Sequence, residues 1–117
     1  MTMTAYQRGL VAEDRAARFL ETQGYRILHK RLKTSVGEID LVAEKAEDIV
    51  FVEVKFRQRM IDALETLSVR QRQRILTAAE LFLAETPLLA HRPLRFDVIA
   101  LTPAQLQHVE NAFWKEG

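Results

Sequence analysis

Asp40, Glu53 and Lys55 combine acid–base and metal-binding side chains within two short apolar stretches of this chain. Asp40 interrupts Ile39-Asp40-Leu41-Val42, and Glu53 interrupts Val50-Phe51-Val52-Glu53-Val54, with Lys55 following two residues later. An isolated charge in such a strand costs several kcal/mol unless something compensates it. A bound divalent cation compensates two carboxylates beside an ammonium. Oxygen donors select hard ions, so Mg²⁺ or Mn²⁺ is the expected cofactor. Such an ion polarises a phosphate oxygen and lowers the pKa of a bound water. In this reading Asp40 and Glu53 are ligands, helped by the Val54 carbonyl, and Lys55 orients the water and neutralises developing charge. The residues point to metal-dependent phosphodiester hydrolysis.

Glu13 supplies a third carboxylate. It lies three residues after Leu10 and four before Ala17, on the apolar stripe of a predicted first helix, and so faces the sheet. Three converging carboxylates repel one another, and a divalent ion relieves that repulsion. Glu13 would then hold a second ion or a metal-bound water. Plainer readings fit each residue alone. Lys55 suits a salt bridge to Glu53 or Asp40 at a strand end, and Glu13 suits a pair with Arg8 or a strand lysine. An x-Glu-x-Lys tetrapeptide is common; shared facing and strand context are what give it weight.

Side chains alternate faces along a strand. Glu38, Asp40 and Val42 are therefore expected on one face, and Ile39, Leu41 and Ala43 on the other. In the next strand Ile49, Phe51, Glu53 and Lys55 point one way, and Val50, Val52, Val54 and Phe56 the other. Antiparallel pairing then lets Asp40 meet Glu53 and Lys55. The step from Glu53 to Lys55 spans about 6.6 Å, short enough for both tips to serve one small site.

The two strands are predicted at 36–44 and 49–57, with a polar turn at 45–48. Thr4-Ala5-Tyr6-Gln7 is a capping box opening a helix that runs to about Gln23, where Gly24 stops it. Its stripe is Tyr6, Leu10, Ala17 and Leu20, with Gly9 and Ala16 beside it. Residues 25–33 form a strand with basic alternate positions. Ser68-Val69-Arg70-Gln71 opens a second helix that ends before Pro87, with Ile75, Leu76, Ala79, Phe82 and Leu83 inward. A strand at 94–101 and a short one at 107–112 follow. The order is α-β-β-β-α-β-(β). Strand, helix and strand at 49–101 make a crossover, so those strands lie parallel. The expected fold is α/β, a mixed sheet flanked by helices in one domain spanning 1–117.

Composition narrows the class. The chain has 117 residues, 48% of them hydrophobic, enough for one folded core. No apolar run approaches the roughly 18–20 residues of a membrane span, and the first residues lack a secretory pattern. With no cysteine there is neither a disulfide framework nor a thiolate zinc site. A reducing, cytoplasmic location is the expectation. Net charge is +1, but residues 1–75 carry 14 Lys/Arg against 11 Asp/Glu. If the acids bind cations, that half is basic and suits a polyanion; an ordinary mixed-charge surface fits the charges equally well. Arg26, Lys30, Arg31, Lys33, Arg57, Arg59, Arg70 and Arg74 are available for phosphates. His29, His91 and His108 have no metal-ligand spacing and read as surface or structural residues. Arg95 and Asp97 are expected to pair on one strand face. Phe113 and Trp114 read as a core plug or an oligomer contact. With four glycines the chain shows no phosphate-binding loop.

The motifs resemble the YraN-like family of small bacterial proteins of uncharacterised function, within the restriction-endonuclease-like, PD-(D/E)xK superfamily. The resemblance covers nearly the whole chain. It rests on Gly9-x-x-x-Glu13-x-x-Ala16, Gly24-Tyr25-x-Ile27-Leu28, Gly37-Glu38-Ile39-Asp40-Leu41-Val42-Ala43, Phe51-Val52-Glu53-Val54-Lys55, Arg95-Phe96-Asp97-Val98 and Asn111-Ala112-Phe113. It implies a core sheet similar to that of archaeal Holliday-junction resolvases, with Asp40, Glu53 and Lys55 as the nuclease signature and Glu13 as the helix carboxylate. It also implies pairing into a homodimer that addresses two strands. The family usually has Thr or Ser where this chain has Phe56, a Lys where it has Gln71, and an Asn where it has Arg31.

The expected activity is a Mg²⁺-dependent endonuclease on DNA rather than RNA, acting on branched or damaged structures. Its catalytic residues are Glu13, Asp40, Glu53 and Lys55, its metal ligands Asp40, Glu53 and Glu13, and its nucleic-acid contacts Arg31, Lys33, Arg57, Arg70, Gln71 and Arg74. The alternative, motivated by Phe56 and Gln71, is a nucleic-acid-binding module with little or no catalysis. A third reading is a protein-interaction adaptor that binds neither metal nor nucleic acid.

Overall fold

Reciprocal caps start both long helices in the computed structural model, which describes residues 2–114. Thr4 Oγ1 accepts the Gln7 N–H at 3.1 Å while Gln7 Oε1 accepts the Thr4 N–H at 2.9 Å, opening α1 (Ala5–Thr22). Ser68 and Gln71 repeat the exchange at 3.1 and 3.0 Å to open α3 (Val69–Ala84). Each exchange satisfies two of the amide donors that a helix start leaves without partners. Gly24, at φ 91, ends the turn after α1 in the left-handed region that glycine enters without strain.

Between and after these helices lie β1 (Arg26–Thr34), β2 (Gly37–Lys45), β3 (Asp48–Phe56), α2 (Met60–Ala63), a 3₁₀ turn (Pro87–Leu89), β4 (Leu94–Leu101) and β5 (Leu106–Phe113). The four-residue α2 is absent from the sequence reading, being too short to show a helical stripe. The sheet order is β1-β2-β3-β4-β5. β3 and β4 run parallel across the α2–α3 crossover and the other neighbours are antiparallel. This is the expected mixed sheet flanked by helices, compatible with a restriction-endonuclease-like core.

Each face of the sheet buries its own apolar layer. On one side Ala12, Ala16, Ala17 and Leu20 of α1 pack on Leu41, Ala43, Val50, Val52, Ile99 and Leu101. On the other, Ile75, Ala78, Ala79 and Phe82 of α3 pack on Val42, Ile49, Phe51, Phe96 and Val98. The alanines let α1 approach closely. Tyr6 departs from its expected place in the stripe: it is 62% exposed, and its hydroxyl accepts from Arg31 of β1 instead of packing into the core. Phe113 plugs the core and stacks on Phe96 at 5.3 Å, whereas Trp114 is 62% exposed.

Ile39 also departs from expectation. It packs with Val42 against α3, not with Leu41 and Ala43. Strict alternation fails because β2 changes course there. Its ladder with β3 ends at Leu41↔Val52, and on the β1 side the register runs Lys30↔Leu41 and then Leu32↔Ile39, with Arg31 between them at φ 54.

Asp97, wholly buried in β4, ties the β5 edge to the sheet. Its Oδ1 accepts Arg95 Nε and the Asn111 N–H, both at 2.9 Å. Oδ2 meets Arg95 Nη2 at 2.8 Å and His108 Nε2 at 2.7 Å. Arg95 also donates to the Tyr25 hydroxyl. The expected Arg95–Asp97 pair is present, and His108 is structural.

Candidate functional site

Where β2 and β3 part beyond Leu41↔Val52, the next residues of the two strands are Asp40 and Glu53. The sheet forks there. Strand separation leaves the Val54 N–H without a ladder partner, and Asp40 Oδ2 accepts it at 2.8 Å. Glu53 continues the face of Ile49 and Phe51, the face covered by α3. One of its oxygens, Oε2, is buried with no hydrogen-bond partner. Burial raises the Glu53 pKa, and the adjacent Asp40 carboxylate raises it further. Asp40 is raised by burial too, although the Val54 N–H and Glu53 oppose the shift. Two partly buried carboxyl groups in contact cannot both ionise cheaply, so the pair retains a proton when no cation is present.

Glu13 reaches the fork from α1. Burial, then repulsion from Asp40, raises its pKa to about 7, against the opposing field of Arg31. Its Oε1 lies 3.7 Å from Arg31 Nε. The expected Glu13 pairs are made otherwise: Arg8 donates to the Met3 carbonyl and Lys30 pairs with Asp14. Among the described residues no three acidic or imidazole groups gather tightly enough to hold an ion. The expected convergence of three carboxylates is therefore an intimate Asp40–Glu53 pair with Glu13 as a satellite. Glu38, exposed on the rim, adds a fourth negative field felt by both Glu13 and Asp40. It is missing from the expected site set, although its spacing from Asp40 was a visible signal.

Lys55 does not take the salt-bridge role. Its ammonium donates to the main-chain carbonyl of Glu65, in the loop between α2 and α3, and no oxygen of Asp40 or Glu53 is within ion-pair distance. Burial, then the charge of Arg57, lowers its pKa.

The expected phosphate contacts divide into those at the fork and those away from it. Arg74 extends from α3 over the β1–β2 turn, and its charge opposes the rise at Glu53. Arg31 lies against Glu13. Lys33, exposed, stands opposite Glu38 across the β1–β2 ladder. Arg57 donates to the Phe56 carbonyl at 2.7 Å. Arg70 and Gln71 occupy the first turn of α3, where the Gln71 carboxamide oxygen is engaged as the cap.

Gly37 makes room for Arg74. A Cβ there would stand 2.9 Å from Arg74 Cδ, and the glycine φ of 147 already disfavours any side chain. Gly37→Ala is expected to cost about 1–3 kcal/mol in denaturant unfolding. The same change in an Arg74→Ala background should cost measurably less, because only the backbone part remains. Equal costs in both backgrounds would show that Arg74 does not rest on this glycine.

The donor set fits a hard divalent ion. Mg²⁺ keeps several waters and takes one or two protein carboxylates. Asp40 and Glu53 would supply those, and Glu53 Oε2 is a buried lone-pair donor without a hydrogen-bond partner.

The model of an uncharacterised protein family, UPF0102, matches residues 12–101, a span holding Glu13, Asp40, Glu53 and Lys55. A UPF0102 protein of Azorhizobium caulinodans is 54% identical over 114 residues, covering 97% of this chain and 87% of its own. One from Rhodopseudomonas palustris strain BisB5 is 50% identical over 112 residues, covering 95% and 86%. Another, UPF0102 protein bll0669 of Bradyrhizobium diazoefficiens, is 46% identical over 112 residues, covering 95% and 84%. No helix among the described residues is long and apolar enough to cross a membrane. On these matches the chain belongs to the uncharacterised protein family UPF0102.

Proposed function

We propose that this protein is a Mg²⁺- or Mn²⁺-dependent endonuclease that hydrolyses phosphodiester bonds in DNA, branched or damaged DNA in particular. One observation carries the reading: the buried, unpartnered Glu53 oxygen beside Asp40, at a fork that forces two carboxyl groups together. Asp40 and Glu53 would hold the ion, which supplies Lewis acidity toward a phosphate oxygen and a water made acidic enough to attack. The Val54 N–H holds Asp40 in place. Glu13, with a pKa near neutrality, can exchange a proton at its carboxylate as the water reacts. Lys55 lies one strand step from Glu53 on the same face and would turn from the Glu65 carbonyl toward the developing charge. Arg31 and Arg74 flank the carboxylates and suit the scissile phosphate; Lys33, Arg57, Arg70 and Gln71 suit its neighbours. A cytoplasmic homodimer on DNA completes the proposal.

Purified protein incubated with plasmid, single-stranded and four-way-junction DNA and Mg²⁺ or Mn²⁺ is expected to cleave at least one of them. Activity that persists in Asp40→Ala would come from a contaminant and end the claim. A nucleic-acid-binding module without catalysis is the second reading, favoured by the engagement of Lys55 with Glu65 and of Gln71 in its cap. Salt-dependent DNA binding without cleavage would select it. Calorimetric titration of Mn²⁺ tests the centre without a substrate: binding is expected in the native protein and its loss in Asp40→Asn.

A further inference from the structure

Arg31 is held at the fork by three features that its role as a phosphate contact does not explain. Its Nε lies 3.7 Å from Glu13 Oε1. Its Nη1 meets the Tyr6 hydroxyl at 3.0 Å, and its guanidinium carbon sits 5.1 Å from the Tyr6 ring centroid. Its own backbone takes φ 54, a left-handed conformation that an arginine adopts only against a steric penalty. A long side chain on a left-handed backbone, held over an aromatic ring and turned onto a carboxylate, has the form of a latch.

We propose that the Arg31 guanidinium is a built-in counter-cation of the fork, docked on Glu13 in competition with a divalent ion, and that binding of the ion releases it. The inference rests on the reading that Asp40 and Glu53 hold that ion. The fork concentrates the fields of Glu13, Glu38, Asp40 and Glu53, and Arg31 offsets those at Glu13 and Asp40. A divalent charge arriving between Asp40 and Glu53 takes over that compensation and repels the guanidinium. Tyr6 is 62% exposed, so the clasp opens without disturbing the core. Once released, the guanidinium stands at the mouth of the site with its donors available for a phosphate oxygen. The protein would thus expose a phosphate-binding arginine only after its ion is loaded.

Calorimetric titration with Mn²⁺ alone, without nucleic acid, tests the latch in the native protein, Arg31→Asn and Lys33→Gln. Asparagine accepts the left-handed backbone, so Arg31→Asn removes the charge without adding strain. Lys33→Gln removes the same charge from the same strand without touching Glu13. Arg31→Asn is expected to bind Mn²⁺ roughly three- to tenfold more tightly than the native protein, the size of one partly screened ion pair released. Lys33→Gln should change the affinity by less than about twofold. Unchanged or weaker binding in Arg31→Asn overturns the latch while leaving the metal site standing, as does an equal gain in both variants. Absence of Mn²⁺ binding in the native protein and in Arg31→Asn removes the metal-site reading, and the latch with it.

Discussion

Glu53→Gln is expected to reduce Mg²⁺-dependent cleavage by about a thousandfold or more, and at the same time to raise the melting temperature of the protein in EDTA. The first effect follows from replacing a charged ligand with a neutral amide. Losing one of two carboxylates weakens the hold on the ion and its Lewis acidity, and a thousandfold corresponds to roughly 4 kcal/mol of transition-state stabilisation. The second effect follows from what Glu53 costs when no ion is present. Its Oε2 is buried without a partner, and its carboxyl group is pressed against Asp40. A residue selected only for folding would not be placed so. Gln keeps the shape, removes the ionisable charge and can donate to Asp40, and should gain about 1–2 kcal/mol. Activity assays and thermal melts in EDTA read the two effects separately. A variant that loses both activity and stability would mark Glu53 as a structural residue and count against the metal site.

Asp97→Ala is expected to be the most destabilising single change in the chain, at about 3–5 kcal/mol, a large share of the roughly 5–15 kcal/mol that holds a protein of this size together. The cost lies in what is left behind. Arg95, His108 and the Asn111 N–H all donate to this carboxylate, and the truncation removes that shared acceptor from the interior of the sheet, leaving Arg95 only the Tyr25 hydroxyl and longer contacts to Asp48 and Glu110. For about 100 residues this corresponds to a fall of roughly 10–25 °C in melting temperature. Burial alone would raise the Asp97 pKa, but hydrogen bonds from His108, Arg95 and the Asn111 amide together hold it below its ordinary value of 3.8. The folded protein thus keeps Asp97 ionised at a pH where the unfolded chain protonates it. That stabilisation is complete above about pH 4 and drains away as pH falls through the lower folded value. Chemical denaturation of the native protein and Asp97→Asn across pH 2–7 checks the sign. The gap between them should narrow below about pH 4; a gap that widens in acid would contradict it.

Both predictions concern residues whose types were informative before any fold was known, but to different extents. Glu53 stood out because a carboxylate in an apolar strand demands compensation. The alternation of Ile49, Phe51 and Glu53 also placed it on the correct face. For Asp97 the two-residue spacing predicts only an ion pair with Arg95. That His108 and the Asn111 amide converge on the same carboxylate depends on the β4–β5 register and on the left-handed turn at Asn111, φ 52, which no local pattern announces. The capping boxes at Thr4 and Ser68 were legible because a cap is a contact between residues three apart. The parallel β3–β4 pair was legible because a helical crossover leaves little other choice.

Local sequence thus determined the helix starts, the strand segments, the face of Glu53 and the candidate chemistry of Asp40, Glu53, Lys55 and Glu13, because each depends on neighbours a few residues away. Tertiary structure alone decided that β2 leaves β3 at Asp40, that Ile39 turns to the α3 face, that Lys55 is held by Glu65, and that Arg31 is clasped between Tyr6 and Glu13. Those outcomes are balances between elements distant in the chain. They are set by where ladders end and by which charge lies nearest another, and neither quantity exists until the sheet has assembled.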